Sequence, residues 1–153
     1  MATELRRVSG VEELMRWRQE VIQSVFGQEA DGGLSQANRE YYLSHVRDDT
    51  HVAVVASVDG MDAGCGGICL YDELPSPDNL TGRCAYLMNI YVRPEFRERG
   101  VATAIVKFLV EEARSRRCGK VYLETTDAAR SLYAAMGFDE MKDMMKLWDR
   151  VLE

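Results

Sequence analysis

The sequence predicts an α+β fold: one domain over residues 1–153, with a mixed, mostly antiparallel sheet flanked by helices. Three observations carry this. Two helical patterns come first, at 11–26 and about 35–47, and a strand hairpin follows them at 51–58 and 63–71. After the hairpin the chain alternates strand, helix, strand, helix and strand, so one crossover in the sheet is parallel.

Each element has its own local reason. "LRRVS" at 5–9 is a short first strand. Between 11 and 26, Leu14, Trp17, Val21, Ile22 and Val25 recur at helical spacing. "GQEADGG" at 27–33 has three glycines, and these predict a break and a mobile connection. "HVAVVASV" at 51–58 switches to a strand pattern, and Asp59-Gly60 is a hairpin turn signal. In the return strand, "AGCGGICLY", glycines weaken the pattern.

"DELPSPDNLTG" at 72–82 is a polar loop, and "RCAYLMNIYV" at 83–92 is apolar almost throughout, as a central strand should be. Residues 100–117 form an amphipathic helix with Val101, Ile105, Phe108, Leu109 and Ala113 on one stripe, and Gly119 is its expected stop. "KVYLETT" at 120–126 is a strand, 127–137 a short helix, and "FDEMKDMMKLW" at 138–148 a final strand.

Composition narrows the function. The chain has 46% hydrophobic and 29% charged residues, ordinary for a soluble domain. No apolar run approaches the ~18 residues of a membrane span. The N-terminus lacks a signal-peptide core, so a cytoplasmic protein without a membrane partner is expected. The four cysteines include no CxxC pair and lie far from the two histidines in sequence, which argues for free thiols and no metal. A net charge of -6 argues against a nucleic-acid partner.

Against that acidic background, "RPEFRERG" places Arg93, Arg97 and Arg99 in a turn that leads into a helix at Gly100. The first N–H groups of a helix have no intrahelical partner and, with the macrodipole, attract anions. No Ser, Thr, Asp or Asn stands at the cap position, and Ala102 is small enough for a phosphate to approach. GKS and GKT are absent, so this is not a Walker A loop, and a single glycine does not make a dinucleotide fingerprint.

Arg97-Glu98-Arg99-Gly100-Val101-Ala102, followed by "VYLETT" and then Leu132-Tyr133 with Gly137-Phe138, resembles the acetyl-CoA core of the GNAT superfamily of N-acetyltransferases. The resemblance covers about residues 84–140. In the 1–83 part, where acceptor specificity would lie, it is limited to the order of elements. It implies acetyl-CoA as cosubstrate, with the pyrophosphate on backbone N–H groups of Arg97, Glu98, Arg99, Gly100, Val101, Ala102 and Thr103. It also implies that the strand end at Ile90, Tyr91 and Val92 splays from its parallel neighbour to admit the pantetheine arm. Many members carry Asn where this chain has Thr126, followed by Asp127, a possible helix cap.

The implied reaction is direct acetyl transfer to a primary amine in a ternary complex; the alternative is a non-catalytic acyl-CoA-binding module on the same fold. By itself Tyr133 reads as a ring packed on the sheet, and the resemblance makes it the general acid. The oxyanion donor would be the Ile90 N–H, at a bulge that the family carries there. Glu73 or Glu124 is the candidate base, with Asp72, His45, His51 and a water chain also open.

Asn89 is a candidate for lining the acceptor cleft. Asp31, Asp72, Glu73 and Asp78 would favour a cationic, amine-bearing acceptor, and Tyr41, Tyr42 and Tyr86 an apolar wall. Cys84 precedes the open end of its strand, which disfavours a covalent thiol intermediate. The apolar 144–148 stretch allows a homodimer through C-terminal strands, or a strand covered by the chain's own helices.

Overall fold

The computed structural model describes residues 2–148. The elements run β1 (Thr3–Val8), α1 (Val11–Phe26), α2 (Gly32–Arg47), β2 (His51–Val58), β3 (Met61–Asp72), β4 (Arg83–Val92), a 3-10 turn (Pro94–Phe96), α3 (Val101–Ser115), β5 (Lys120–Leu123) and α4 (Asp127–Ala135). The sheet order is β1-β2-β3-β4-β5, antiparallel up to β4, with β4 and β5 parallel across the α3 crossover.

β2 is apolar on both faces because both faces are covered. Val52, Val54 and Ala56 pack with Ile105 and Leu109 of α3, while Ala53 and Val55 pack with Leu14 and Trp17 of α1 and Tyr42 of α2. Ile105 and Leu109 are fully buried, so truncating either to Ala would cost about 2–5 kcal/mol. The Asp59-Gly60 turn has φ 49 and 81, both left-handed, as a two-residue hairpin of the primed type requires. The glycines that weakened the β3 pattern are points of close approach. A Cβ on Gly66 would lie 2.6 Å from Ile105 Cγ2 and 3.3 Å from Ile90 Cγ1.

Four local expectations change. The 27–33 break is shorter than predicted, because Asp31 Oδ1 accepts the Leu34 N–H at 2.7 Å and caps α2 from Gly32 onward. α3 ends at Ser115 and is closed by Arg117 rather than Gly119. Arg117 takes φ 62, with Cys118 N–H to Ala113 O at 3.0 Å and Arg117 N–H to Arg114 O at 2.9 Å, a Schellman closure. Asp127 does not cap α4; it sits in the first turn beside Arg130.

The fourth is the final strand, which does not form: residues 138–148 pair with no strand, and Met145 is 100% exposed. Its sequence pairs Lys142 with Asp143 and Met144 with Met145, so no register would separate an apolar face from a polar one.

Candidate active site

β4 and β5 pair over residues 84–87 and Lys120–Leu123 only. Beyond Leu87, residues 88–92 keep β3 on one side and have no strand on the other. Cys65 pairs with Tyr91 and Gly67 with Met88, so Asn89 and Ile90 together face the single Gly66. This is a bulge in β4, and Asn89 takes its left-handed conformation at φ 59.

The chain leaves β4 through the 3-10 turn and enters α3 by a loop with two left-handed residues, Glu98 at φ 61 and Gly100 at φ 80. The first intrahelical bond runs from Ala104 N–H to Gly100 O at 3.0 Å, and no side chain caps the helix. The N–H groups of Val101, Ala102 and Thr103 precede that bond and point out of the helix end. A Cβ built on Gly100 would meet nothing within 4 Å.

The three arginines of the turn part company. Arg93 binds Glu20 of α1 through Nε at 2.9 Å and Nη2 at 3.0 Å, and its guanidinium lies 4.5 Å from the Trp17 ring. Arg97 donates from Nε to Val92 O at 2.9 Å, closing the end of β4. The Arg99 guanidinium lies 5.8 Å from the Phe96 ring.

An open cleft of about 1650 Å³ between α3, β5 and α4 is lined by Thr103 and Lys107 of α3, Leu123 at the end of β5, Glu124 and Thr125 after it, and Tyr133 of α4; of the residues from Arg97 to Thr103 only Thr103 borders it. Tyr133 packs partly against the α3 core and meets the Phe138 ring edge-on at 5.9 Å. Burial pushes its phenol upward, and among the described residues no hydrogen bond ties its hydroxyl. Thr126 stands at the α4 cap position without a side-chain bond to the helix.

The candidate bases are not brought together. Glu73 follows β3 and lies beside the start of β4, where Asn79 donates to it at 3.2 Å and Lys120 at 3.3 Å; these hydrogen bonds, Asn79's foremost, hold its carboxylate below the ordinary range. The bulge lies at the other end of that strand. Glu124 follows β5 on the open side, beside Tyr86. Burial, and then the Glu124 carboxylate, pushes the Tyr86 phenol up to about 12.

His45 bonds Thr50, and His51 is buried with its Nδ1 2.7 Å from the Tyr41 hydroxyl. Burial depresses His51 to about 4. Asp72, opposite Arg83 on β3, is exposed, as is Asp78. The acidic residues therefore form no single patch: Asp31 caps α2, and the others gather at the closed end of β4. Tyr41 and Tyr42 pack with His51, and Tyr86 stacks on Tyr122 at 5.0 Å. Cys84 is fully buried at the closed end.

One residue escaped the sequence reading. Arg18 of α1 donates from Nη1 to Asn89 Oδ1 at 2.7 Å and from Nε to Asn38 Oδ1 of α2 at 3.0 Å. The signal was present: with Leu14 and Val21–Ile22 around it at helical spacing, Arg18 interrupts the apolar stripe.

With this geometry in view, the family follows. The profile of the acetyltransferase (GNAT) family matches residues 12–138, and the chain belongs to that family. It is 35% identical over 65 residues to thialysine N-epsilon-acetyltransferase of Bos taurus, covering 40% of this chain and 38% of that protein. It is 36% identical over 67 residues to glucosamine 6-phosphate N-acetyltransferase 1 of Oryza sativa subsp. japonica, covering 44% and 41%. These matches span about two fifths of the length of either relative. The fold is similar to that of a predicted acetyltransferase from Clostridium acetobutylicum solved with acetyl-CoA. The TM-score is 0.84 and the identity 24%, over 95% of this chain and 96% of that one.

Proposed function

We propose that the protein transfers an acetyl group from acetyl-CoA to a primary amine of a small molecule or peptide, directly and within a ternary complex. The observation that carries this reading is the half-open strand pair, β4 beyond Leu87, ending beside an uncapped helix with open space at Gly100. A pantetheine arm fits the first feature and a pyrophosphate the second. That the similar Clostridium acetobutylicum structure contains acetyl-CoA, and that both named relatives are N-acetyltransferases, supports it.

The division of labour follows the chain. Residues 84–140 hold the cosubstrate, and residues 1–83 shape the acceptor side. The N–H groups of residues 97–103 receive the pyrophosphate, with the guanidinium groups of Arg97 and Arg99 nearby. Main-chain groups of Ile90, Tyr91 and Val92 pair with the pantetheine, and Thr126 borders it.

The Ile90 N–H, freed from the ladder by the bulge, donates to the thioester carbonyl oxygen as charge develops there; a fixed donor of this kind contributes about 10²–10³ in rate. Glu124 accepts the proton of the attacking amine, since Glu73 stands at the wrong end of β4. As the C–N bond forms and the C–S bond breaks, Tyr133 gives its proton to the departing sulfur, and its raised pKa keeps that proton in place until then.

Calorimetric titration with acetyl-CoA tests the reading, with desulfo-CoA and adenosine 3′,5′-bisphosphate as controls. Binding of acetyl-CoA followed by amine-dependent thiol release is expected. A folded protein that binds none of the three ligands would overturn it.

A further inference from the structure

We propose that Arg18 receives an anionic group of the acceptor, so that the substrate is an amine that also carries a carboxylate or a phosphate. The inference rests on the acetyltransferase reading above and narrows it.

Arg18 lies on the acceptor side of the sheet, half-buried, and one of its nitrogens is bonded to the residue next to Ile90. Its two partners are the neutral amide oxygens of Asn38 and Asn89. Amides aim a guanidinium without cancelling its charge. The other half-buried arginines are neutralised: Arg39 by Glu12, Arg93 by Glu20, and Arg116 by Asp49 and Glu112. No carboxylate pairs with Arg18 among the described residues.

The titratable side chains around it bring no negative charge. Tyr42, Cys65 and Cys69 are all pushed upward, chiefly by burial, so they stay protonated, His51 stays neutral, and the Glu20 carboxylate, which acts on Cys65, is bound by Arg93. A guanidinium has five N–H donors, and two of Arg18's are in use. The remaining donors can engage two oxygens of one planar or tetrahedral anion, for which Arg is better suited than Lys.

The position explains the charge. Asn89 and Ile90 are adjacent, so an acceptor whose amine reaches the thioester at Ile90 can place a nearby anionic group against Arg18. The acidic residues at the closed end of β4 are too far along the strand to recognise that amine. A structural bolt between α1, α2 and the bulge would work as well with an aspartate at 89, which would neutralise Arg18. The asparagine keeps the cation available.

Two matched pairs of amines test this: lysine against 1,5-diaminopentane for a carboxylate, and glucosamine 6-phosphate against glucosamine for a phosphate. In one pair, kcat/KM should favour the anionic member about ten- to a hundredfold, as a charge-assisted hydrogen-bond pair would give. In Arg18→Gln that preference should fall to about twofold or less through the amine's KM, with the KM for acetyl-CoA unchanged; Arg18→Lys should restore part of it. The two pairs distinguish carboxylate from phosphate.

In parallel, acetate and inorganic phosphate are titrated into the desulfo-CoA complex at constant ionic strength, reading the Arg18 Nε–H resonance assigned with Arg18→Gln. A saturable shift with one of them supports the site. Turnover without any preference for the anionic amine, a preference that survives Arg18→Gln, or an unmoved Arg18 resonance with both anions would each overturn it. Failure to bind acetyl-CoA at all would instead bring down the acetyltransferase reading, and this inference with it.

Discussion

Glu20 and Arg93, 73 positions apart in the chain, meet in a two-point ion pair at 2.9 and 3.0 Å that fastens α1 to the end of β4. The guanidinium is further held over Trp17, so an arginine that sequence alone assigns to an anion-binding turn serves instead as a clamp between layers. The pair is about one-third exposed on each side, which limits its worth. Arg93→Ala should lower stability by about 1–2 kcal/mol, from the lost pair and the lost ring contact. Denaturant titration checks this, and acetyl-CoA affinity should stay within about twofold of wild type, since the remaining backbone donors do not depend on Arg93.

Gly100 opens the first turn of α3 onto empty space. Gly100→Glu should fold and lose acetyl-CoA binding by about a hundredfold or more, because bulk and negative charge would enter the anion position and a non-glycine residue would be strained at φ 80. Arg97→Ala should weaken binding only about three- to tenfold, since the N–H groups remain. Calorimetry on both variants, with circular dichroism to confirm folding, decides the matter. Unchanged affinity in Gly100→Glu would remove the turn from the site.

Tyr133→Phe keeps the ring against the α3 core and deletes only the hydroxyl. The expected outcome is unaltered acetyl-CoA affinity and a kcat lowered about 10²–10⁴-fold, the usual contribution of a positioned proton donor. Steady-state kinetics with the preferred amine measures it. A kcat near wild type would leave the thiolate to depart unaided and Tyr133 as a packing residue.

His51 gives stability a pH dependence with a definite sign. Its folded pKa, about 4, lies below the ordinary 6.5, so the unfolded chain binds the proton first. Stability is therefore flat with respect to this group above about pH 6.5 and falls as pH drops toward 4, by up to about 3 kcal/mol from this group alone. His51→Gln should flatten that stretch of the profile in urea titrations run between pH 4 and 7. A mutant slope equal to wild type would mean that other groups set it.

Much of the fold is legible because local signals agree with it. The bounds of α1 and β2 follow from their apolar patterns and those of β4 from an almost unbroken apolar run, and Asp59-Gly60 fixes its hairpin. The uncapped α3 end is legible too, since it depends on which residues are absent from the cap. The bulge is not: Asn89 adopts a left-handed angle with no glycine to announce it. Nor is the fate of Arg93, which in sequence is indistinguishable from Arg97 and Arg99, because its partner comes from a distant helix. The expected strand at 138–148 failed for the opposite reason, as apolar content alone suggested it while the alternation a sheet requires was missing. Glu73 and Glu124 were equal candidates until topology put them at opposite ends of β4 and β5.

α4 carries Tyr133, yet none of its nine residues is fully buried, whereas α3 buries five of its own. Anchorage is thus unequal across the cleft. The wall that begins at the anion turn belongs to a deeply rooted helix, and the wall bearing the phenol to the shallowest. Elements with few buried contacts open at a small fraction of the global unfolding free energy. α3 is the firmly packed jaw and α4 the loosely packed one, and a ligand spanning both would hold Tyr133 in the place proposed for it. Amide exchange in α4 should therefore slow far more than in α3 when desulfo-CoA is added, and the acid would be in place only after the cosubstrate is.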